Sequence, residues 1–158
     1  MPVPRYLLWL ALRVAGLSTG ISVVLGPWLA WTLVNRQFAG KRALGALSTA
    51  ALALPAPVLC YYLLAVFARL WPLTEINLVA AGVLSAMPLL IRASRTAFAS
   101  LDPNLAKAAR SLGAPGWRVF LRIELPLELR PILAATALAF ARVLAELAAA
   151  FWIAAQRP

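Results

Sequence analysis

Histidine is absent from the 158-residue sequence, and cysteine occurs once, at Cys60. Without histidine, the usual side chain for acid–base catalysis near neutral pH is missing, and a Cys/His metal cluster cannot form. A single cysteine excludes a disulfide within this chain. Cys60 lies in an apolar run, where cysteine usually packs as a small hydrophobic residue. The sequence therefore predicts no catalytic, metal or cofactor site of these kinds.

Charged residues are also scarce, at 13% of the chain, whereas 63% of the residues are hydrophobic and the mean hydropathy is +0.85. A water-soluble domain typically has roughly 25% charged residues. The composition therefore excludes an ordinary soluble domain. It predicts an all-α, polytopic membrane helix bundle, because helices satisfy their own backbone hydrogen bonds in lipid.

Acidic residues are the rarest charges, with five Asp and Glu against fifteen Lys and Arg, which gives a net charge of +10. Such an excess can indicate nucleic-acid binding. In a membrane protein it has a simpler explanation, because cytoplasmic loops collect Lys and Arg. No nucleic-acid partner is expected.

Four stretches are long and apolar enough to cross a lipid bilayer as helices, which takes roughly 20 residues. They are residues 14–34, 43–68, 76–98 and 131–153. The apolar run 6–12 either extends the first span or lies in the membrane interface. Ten basic residues lie in the first and third connections and four on the opposite side. This bias places both connections, including the loop 99–130, in the cytoplasm.

Prolines and glycines are expected to affect the continuity and the packing of the membrane spans. Prolines are expected to interrupt three of them, because proline removes a backbone donor and kinks a helix. These are Pro27, which follows Gly26, then Pro55 and Pro57, and Pro88. Gly16 and Gly20 form a small-xxx-small pair that permits close helix packing.

The loop 99–130 predicts two short helices separated by a glycine turn. Asp102-Pro103 is typical of a helix start, with a capping oxygen followed by proline in the first turn. Gly113 follows the last apolar position, where a left-handed residue ends a helix. The apolar face of the first helix consists of Leu105, Ala108, Ala109 and Leu112.

The second short helix is expected to begin after Pro115 and to end at Leu125-Pro126. Trp117 and Phe120 are expected to pack this hairpin onto the membrane helices. The basic residues Arg110, Arg118 and Arg122 either contact a cytoplasmic partner or lipid headgroups, and headgroup contact is the usual role beside a membrane.

The spacing within this loop resembles the EAA loop of ABC-importer permeases, in which Glu-Ala-Ala is followed at fixed intervals by Gly, Ile and Leu-Pro. The matching positions are Lys107, Ala108, Ala109, Gly113, Ile123, Leu125 and Pro126, with Ala114 beside the glycine. The segments PLLIRASRTAFASLDPNLAKAARSLGAPGWRVF, GPWLAWTLV, LPAPVLCYYLL and LAFARVLAE are similar to the molybdate/tungstate-type and sulfate-type permeases.

The resemblance implies a single transmembrane permease domain over residues 1–158, in the bacterial cytoplasmic membrane, with the loop 99–130 as a coupling-helix hairpin. It implies cytoplasmic ABC ATPase subunits as partners, an extracytoplasmic oxyanion-binding protein and a second permease copy. ATP hydrolysis is then expected in the ATPase partner, and no cofactor in this chain. The expected function is import of an oxyanion, with molybdate as the expected substrate.

The chain departs from the family pattern at Lys107, where the family has Glu, and at Ala145 and Ala148, which replace glycines. Relatives are also expected to carry a further span after residue 158. The alternative is therefore a truncated, non-transporting membrane protein, either a degenerate permease or a regulatory or split subunit. A small four-helix multidrug exporter fits less well, because the first span has no acidic residue.

Arg142 and Glu146 are separated by four residues on the last span. Such charges usually face a bundle interior and pair, because a charge at the membrane centre costs ~2.5–3.5 kcal/mol on insertion scales. They either form a neutralising pair that stabilises packing, or they line a translocation path in which Arg142 attracts an oxyanion.

Overall fold

The computed structural model describes residues 5–35, 40, 43, 45–46 and 75–155. Within these residues the chain is helical and contains no strand, which confirms the predicted all-α class. In chain order the helical elements are α1 (Arg5–Asn35), α2 (Glu75–Ser100), α3 (Pro103–Ser111), α4 (Gly116–Val119), a π-helical turn (Phe120–Glu124), α5 (Leu125–Leu127) and α6 (Leu129–Ala155).

Three of the described helices, α1, α2 and α6, are long and apolar enough to cross a membrane. The predicted spans 14–34, 76–98 and 131–153 lie inside these helices. The run 6–12 extends the first helix. Almost all of the predicted span 43–68 lies outside the described residues.

The long helices pack around a core of small and branched side chains. Val14 and Ala15 of α1, Ala86 and Leu90 of α2, and Val143 of α6 are almost fully buried in it. Lipid tails are as apolar as these side chains, so helix association in a membrane depends on close van der Waals packing and on hydrogen bonds between helices. Alanines let the backbones approach closely enough for both.

The closest approaches occur at Gly82 and Gly26. A Cβ on Gly82 would overlap the Oγ of Ser18 and lie 2.9 Å from its Cβ, and a Cβ on Gly26 would lie 2.9 Å from the Cβ of Leu90. The Ser18 hydroxyl also donates to the carbonyl of Val79 over 3.1 Å. These glycines bring α1 and α2 into contact.

Gly16 and Gly20 do not pack against the described part of the chain. No described atom lies within 4 Å of a Cβ added at either position, and both glycines are exposed. The inward face of α1 is formed instead by the neighbouring positions Ser18, Thr19 and Ser22.

The predicted interruptions at Pro27 and Pro88 are also wrong, because α1 and α2 continue through these residues. Both prolines are buried against neighbouring helices. Transmembrane helices tolerate proline where surrounding groups and local adjustment satisfy the released carbonyl. Pro55 and Pro57 lie outside the described residues.

Candidate functional site

Helix α3 begins as the sequence predicts. The backbone of Asp102 is extended, and its carboxylate accepts a hydrogen bond of 2.9 Å from the Asn104 N–H. Pro103 occupies the first turn, where its missing N–H leaves no donor unsatisfied. The cap therefore fixes where the polypeptide leaves α2 and starts the hairpin.

The turn at the other end of α3 is built on Gly113, whose φ of +83° confirms the predicted left-handed stop. The Gly113 N–H donates to the Arg110 carbonyl over 3.0 Å, and the Ala114 N–H donates to the Ala109 carbonyl over 3.1 Å. This pair of bonds is the Schellman motif, which satisfies the carbonyls that a helix end leaves free. The two halves of the hairpin are thus joined by a hydrogen-bonded turn.

The second half of the hairpin is longer than predicted. It starts at Gly116 as expected, but Leu125-Pro126 does not end it, because helical geometry continues to Leu127. Within the π-helical turn the Leu125 N–H donates to the Phe120 carbonyl, five residues back. A wider turn relieves the clash that a proline ring normally makes with the carbonyl four residues earlier. Pro126 therefore fits just after the π-helical turn.

An aromatic cluster anchors this half of the hairpin to the membrane helices. The ring of Phe120 lies 5.3 Å from Trp31 of α1 and 5.8 Å from Phe98 of α2, between ring centroids. Ile132 of α6 completes the buried cluster. The Trp31 indole N–H donates to the carboxylate of Glu124, which is also buried. The predicted packing role of Phe120 is confirmed.

Trp117 does not pack inward, so that prediction is wrong. Its side chain is 60% exposed, and the Arg118 guanidinium lies 5.4 Å from its ring centroid. The inward positions of this segment are taken by Val119 and Phe120. The Trp117 ring therefore faces solvent, with a cation–π contact to Arg118.

Helix α3 presents an uncovered surface: none of its nine residues, all described, is buried. Leu112, at its end, is 89% exposed, and Leu105 is exposed as well. Leu121 of the second half is also exposed. The hairpin thus exposes these three leucine side chains outside the bundle.

Some of the predicted loop positions are exposed, and the others are half-buried. Lys107, Ala108, Gly113 and Pro126 are exposed, whereas Ala109, Ala114, Ile123 and Leu125 are half-buried. Lys107 lies two residues from both Leu105 and Ala109, about 200° around the helix. The lysine therefore leaves the apolar face of α3 uninterrupted. Arg110 contacts α1, where its Nη2 lies 3.5 Å from Asn35 Oδ1.

The structure brings Arg142 and Glu146 together inside the bundle. Arg142 Nε lies 3.1 Å from Glu146 Oε1, and the Ser85 hydroxyl of α2 donates to the same oxygen over 2.5 Å. The side chain of Glu146 is 2% exposed and that of Arg142 is 18% exposed. Nη2 of Arg142 is buried without a hydrogen-bond partner in the described part of the chain. No described residue therefore accepts the N–H groups of Arg142 Nη2.

Sequence reasoning missed Trp31, Ser85 and Glu124. Glu124 carried a signal, since it is one of only five acidic residues and lies between Ile123 and Leu125. An acid between apolar neighbours on a helix that faces the membrane is a candidate for burial with a donor. Nothing in the sequence pairs Glu124 with Trp31, 93 residues away.

Comparison with known proteins places the chain in a family. Residues 22–158 match the family described as binding-protein-dependent transport system inner membrane component. The chain is 38% identical over 155 residues to the molybdenum transport system permease protein ModB of Escherichia coli K12, with 89% of this chain and 67% of that protein covered.

More distant relatives include two other permeases. The molybdate/tungstate transport system permease protein WtpB of Thermococcus kodakarensis is 33% identical over 129 residues, with 82% of this chain and 52% of that protein covered. A probable sulfate transport system permease protein, cysT of Anthoceros angustus, is 30% identical over 157 residues, with 91% and 54% covered. The chain thus spans about two thirds of the length of ModB and about half of the others. Together with the three apolar helices, these matches show that the chain is a multi-pass protein of the cytoplasmic membrane and belongs to the family of binding-protein-dependent transport system inner membrane components, the permeases of ABC transporters.

Proposed function

We propose that the chain is the permease subunit of an ABC importer that carries an oxyanion, with molybdate as the first candidate, across the cytoplasmic membrane. Separate cytoplasmic ATPase subunits would supply the energy. The observation that carries the proposal is the capped hairpin, whose first helix has no buried residue while its second half is anchored in the bundle. A rigid element of this kind transmits a displacement that a flexible loop would absorb.

The proposed contact with an ATPase is supported by the size and charge of the side chains that the hairpin exposes. Ala108 is small enough for close approach, and Leu105 and Leu112 offer apolar contacts. The hairpin also exposes four basic residues: Lys107, Arg110, Arg118 and Arg122. At Lys107 the family's acid is replaced, so the matching ATPase surface is expected to present an acidic residue there.

The intramembrane pair supports a path for an anion. Arginine offers donors in a planar fork that matches oxyanions, and Nη2 of Arg142 has no partner in the described residues. Glu146, held by Ser85, neutralises the arginine when no anion is present. In the other interpretation, the pair only stabilises helix packing. The two interpretations predict different anion uptake when both charges are removed.

An extracytoplasmic oxyanion-binding protein and a second copy of the permease complete the proposed importer. The relatives named for molybdenum, molybdate/tungstate and sulfate transport support an oxyanion substrate. The alternative, a non-transporting membrane protein, predicts no uptake even when ATPase and binding protein are supplied.

Replacing Leu112 by aspartate is expected to weaken assembly with the ATPase by about tenfold or more, since an interface anchor commonly contributes 2 kcal/mol or more. The free chain should be unaffected, because Leu112 is 89% exposed. The measurement is the amount of ATPase that co-purifies with the tagged permease at several salt concentrations.

Ser111→Asp is the matched control for this variant. It adds the same charge one residue away, about 100° around the helix and off the apolar face. Assembly should be largely retained. Equal co-purification by Leu112→Asp and the wild type would show that α3 is not the docking surface.

A further inference from the structure

The hydrogen bond between Trp31 and Glu124 joins two elements that are far apart in sequence. Trp31 lies in the last turn and a half of α1, and Glu124 ends the π-helical turn of the hairpin. Both side chains are buried. A buried carboxylate is costly without a donor, and a hydrogen bond to a charged acceptor is stronger than a neutral one. The contact is therefore maintained in the folded chain.

Trp31 also touches the beginning of the same segment. A Cβ on Gly116 would lie 3.6 Å from the Cη2 atom of its ring, and the Phe120 ring packs at 46° to it. Tilted ring contacts tolerate sliding, whereas a hydrogen bond from the indole N–H fixes the ring's direction. The carboxylate thus determines the register between the hairpin and α1.

The chain path makes this contact mechanically distinct. Only two residues separate α2 from α3, and only one separates α5 from α6. The backbone therefore links both α2 and α6 directly to the hairpin. Helix α1 has no such neighbour among the described elements and depends on side-chain contacts. The other polar contact between α1 and the hairpin that the described residues show joins Arg110 to Asn35. It is exposed and long at 3.5 Å, so it contributes little.

We propose that Glu124 is a positioning residue that couples movement of the hairpin to α1 through Trp31. The inference rests on the proposed ABC-importer function and deepens it by naming how one transmembrane helix follows the ATPase. Displacement of the hairpin pulls Trp31, and α1 moves with it. Because α1 contacts α2 closely at Gly26 and Gly82, the movement alters the helix packing around the polar residues inside the bundle.

The test is the number of anions transported per ATP hydrolysed by the full complex in proteoliposomes, with ATPase and binding protein present. Glu124→Leu and Trp31→Phe each remove the hydrogen bond while keeping an apolar or aromatic side chain. Losing one hydrogen bond shifts the equilibrium between the coupled and the uncoupled arrangement of α1 by about fivefold. Each variant is therefore expected to lower the transport ratio by a similar factor. ATPase co-purification should stay near the wild-type level, because neither residue lies on the exposed docking surface.

Glu124→Gln is the conservative control, since its amide oxygen still accepts from the indole N–H, and it should restore most of the ratio. The double variant Trp31→Phe/Glu124→Leu should be no worse than either single variant, as expected for two partners of one interaction. A wild-type ratio in Trp31→Phe, or a Gln variant as impaired as the Leu variant, would overturn the positioning role. Absence of ATP-driven uptake in the wild-type complex would instead refute the proposed function.

Discussion

Replacing Glu146 by leucine is expected to destabilise the folded bundle by about 3–5 kcal/mol, the usual cost of leaving one member of a buried ion pair without its partner. The substitution removes the acceptor of both Arg142 Nε and the Ser85 hydroxyl. Arg142 then lacks an ionic partner within a helix that spans the membrane. The expected result is a large fall in the thermal unfolding midpoint of the purified protein, together with loss of uptake.

Two further variants separate packing from transport. The double variant Arg142→Met/Glu146→Leu removes both charges and should recover most of the stability, because apolar residues of similar volume often replace a buried pair without loss. If Arg142 lines the anion path, uptake remains lost in this stable protein. Wild-type uptake by the double variant would show that the pair serves packing alone. Glu146→Gln, which keeps both hydrogen bonds, should lose less stability than Glu146→Leu.

Replacing Gly113 by valine is expected to disrupt the hairpin and abolish coupling to the ATPase. At φ +83° the residue lies in the left-handed region, where a β-branched side chain is strained by about 1–3 kcal/mol. The Schellman bonds from Gly113 and Ala114 hold a turn whose first helix has no buried side chain to retain it. A strain of ~1.4 kcal/mol already lowers the ratio of ordered to disordered hairpin tenfold. The measurements are limited proteolysis at the hairpin and ATPase co-purification.

The matched glycine control lies three residues further on. Gly116→Ala places its Cβ in ordinary contact with Trp31, so it should be tolerated. Gly113→Asn should also retain most assembly, because asparagine adopts the left-handed conformation at helix ends. If Gly113→Val assembles and transports like Gly116→Ala, the turn geometry is not needed for coupling.

Helix α6 links the two candidate sites. It begins beside the hairpin at Leu129, and Arg142 lies thirteen positions along it, about 20 Å away. That distance places the ion pair within the hydrocarbon core if Leu129 lies at the cytoplasmic boundary. Ile132 packs in the aromatic cluster and Val143 packs in the core of the long helices. One continuous helix therefore connects the hairpin with the charged pair.

The sequence was sufficient where structure depends on local chemistry. Asp102 and Gly113 predict a helix start and a helix end because capping uses nearby backbone groups. The interval between Arg142 and Glu146 predicts their contact because residues four apart face each other on a helix. The apolar stretches predict membrane helices from length and composition alone.

Features that depend on tertiary packing could not be read in the same way. The partners of Glu124 and Glu146 lie on other helices, and helix periodicity does not specify which faces meet. Gly16 and Gly20 have the same sequence signature as a packing site, yet Gly82 and Gly26 provide the close approaches. Pro126 signals a helix end in isolation, but the π-helical turn before it accommodates the ring.

The most direct test of the proposed import function is uptake of radiolabelled molybdate into proteoliposomes that contain the chain, its ATPase subunits and the loaded binding protein. We expect uptake when ATP is present. Uptake should be lost with a non-hydrolysable ATP analogue and reduced by competing tungstate. Sulfate uptake without molybdate uptake would change the substrate but retain oxyanion import. An assembled complex that hydrolyses ATP yet accumulates none of the three anions would contradict the proposed function.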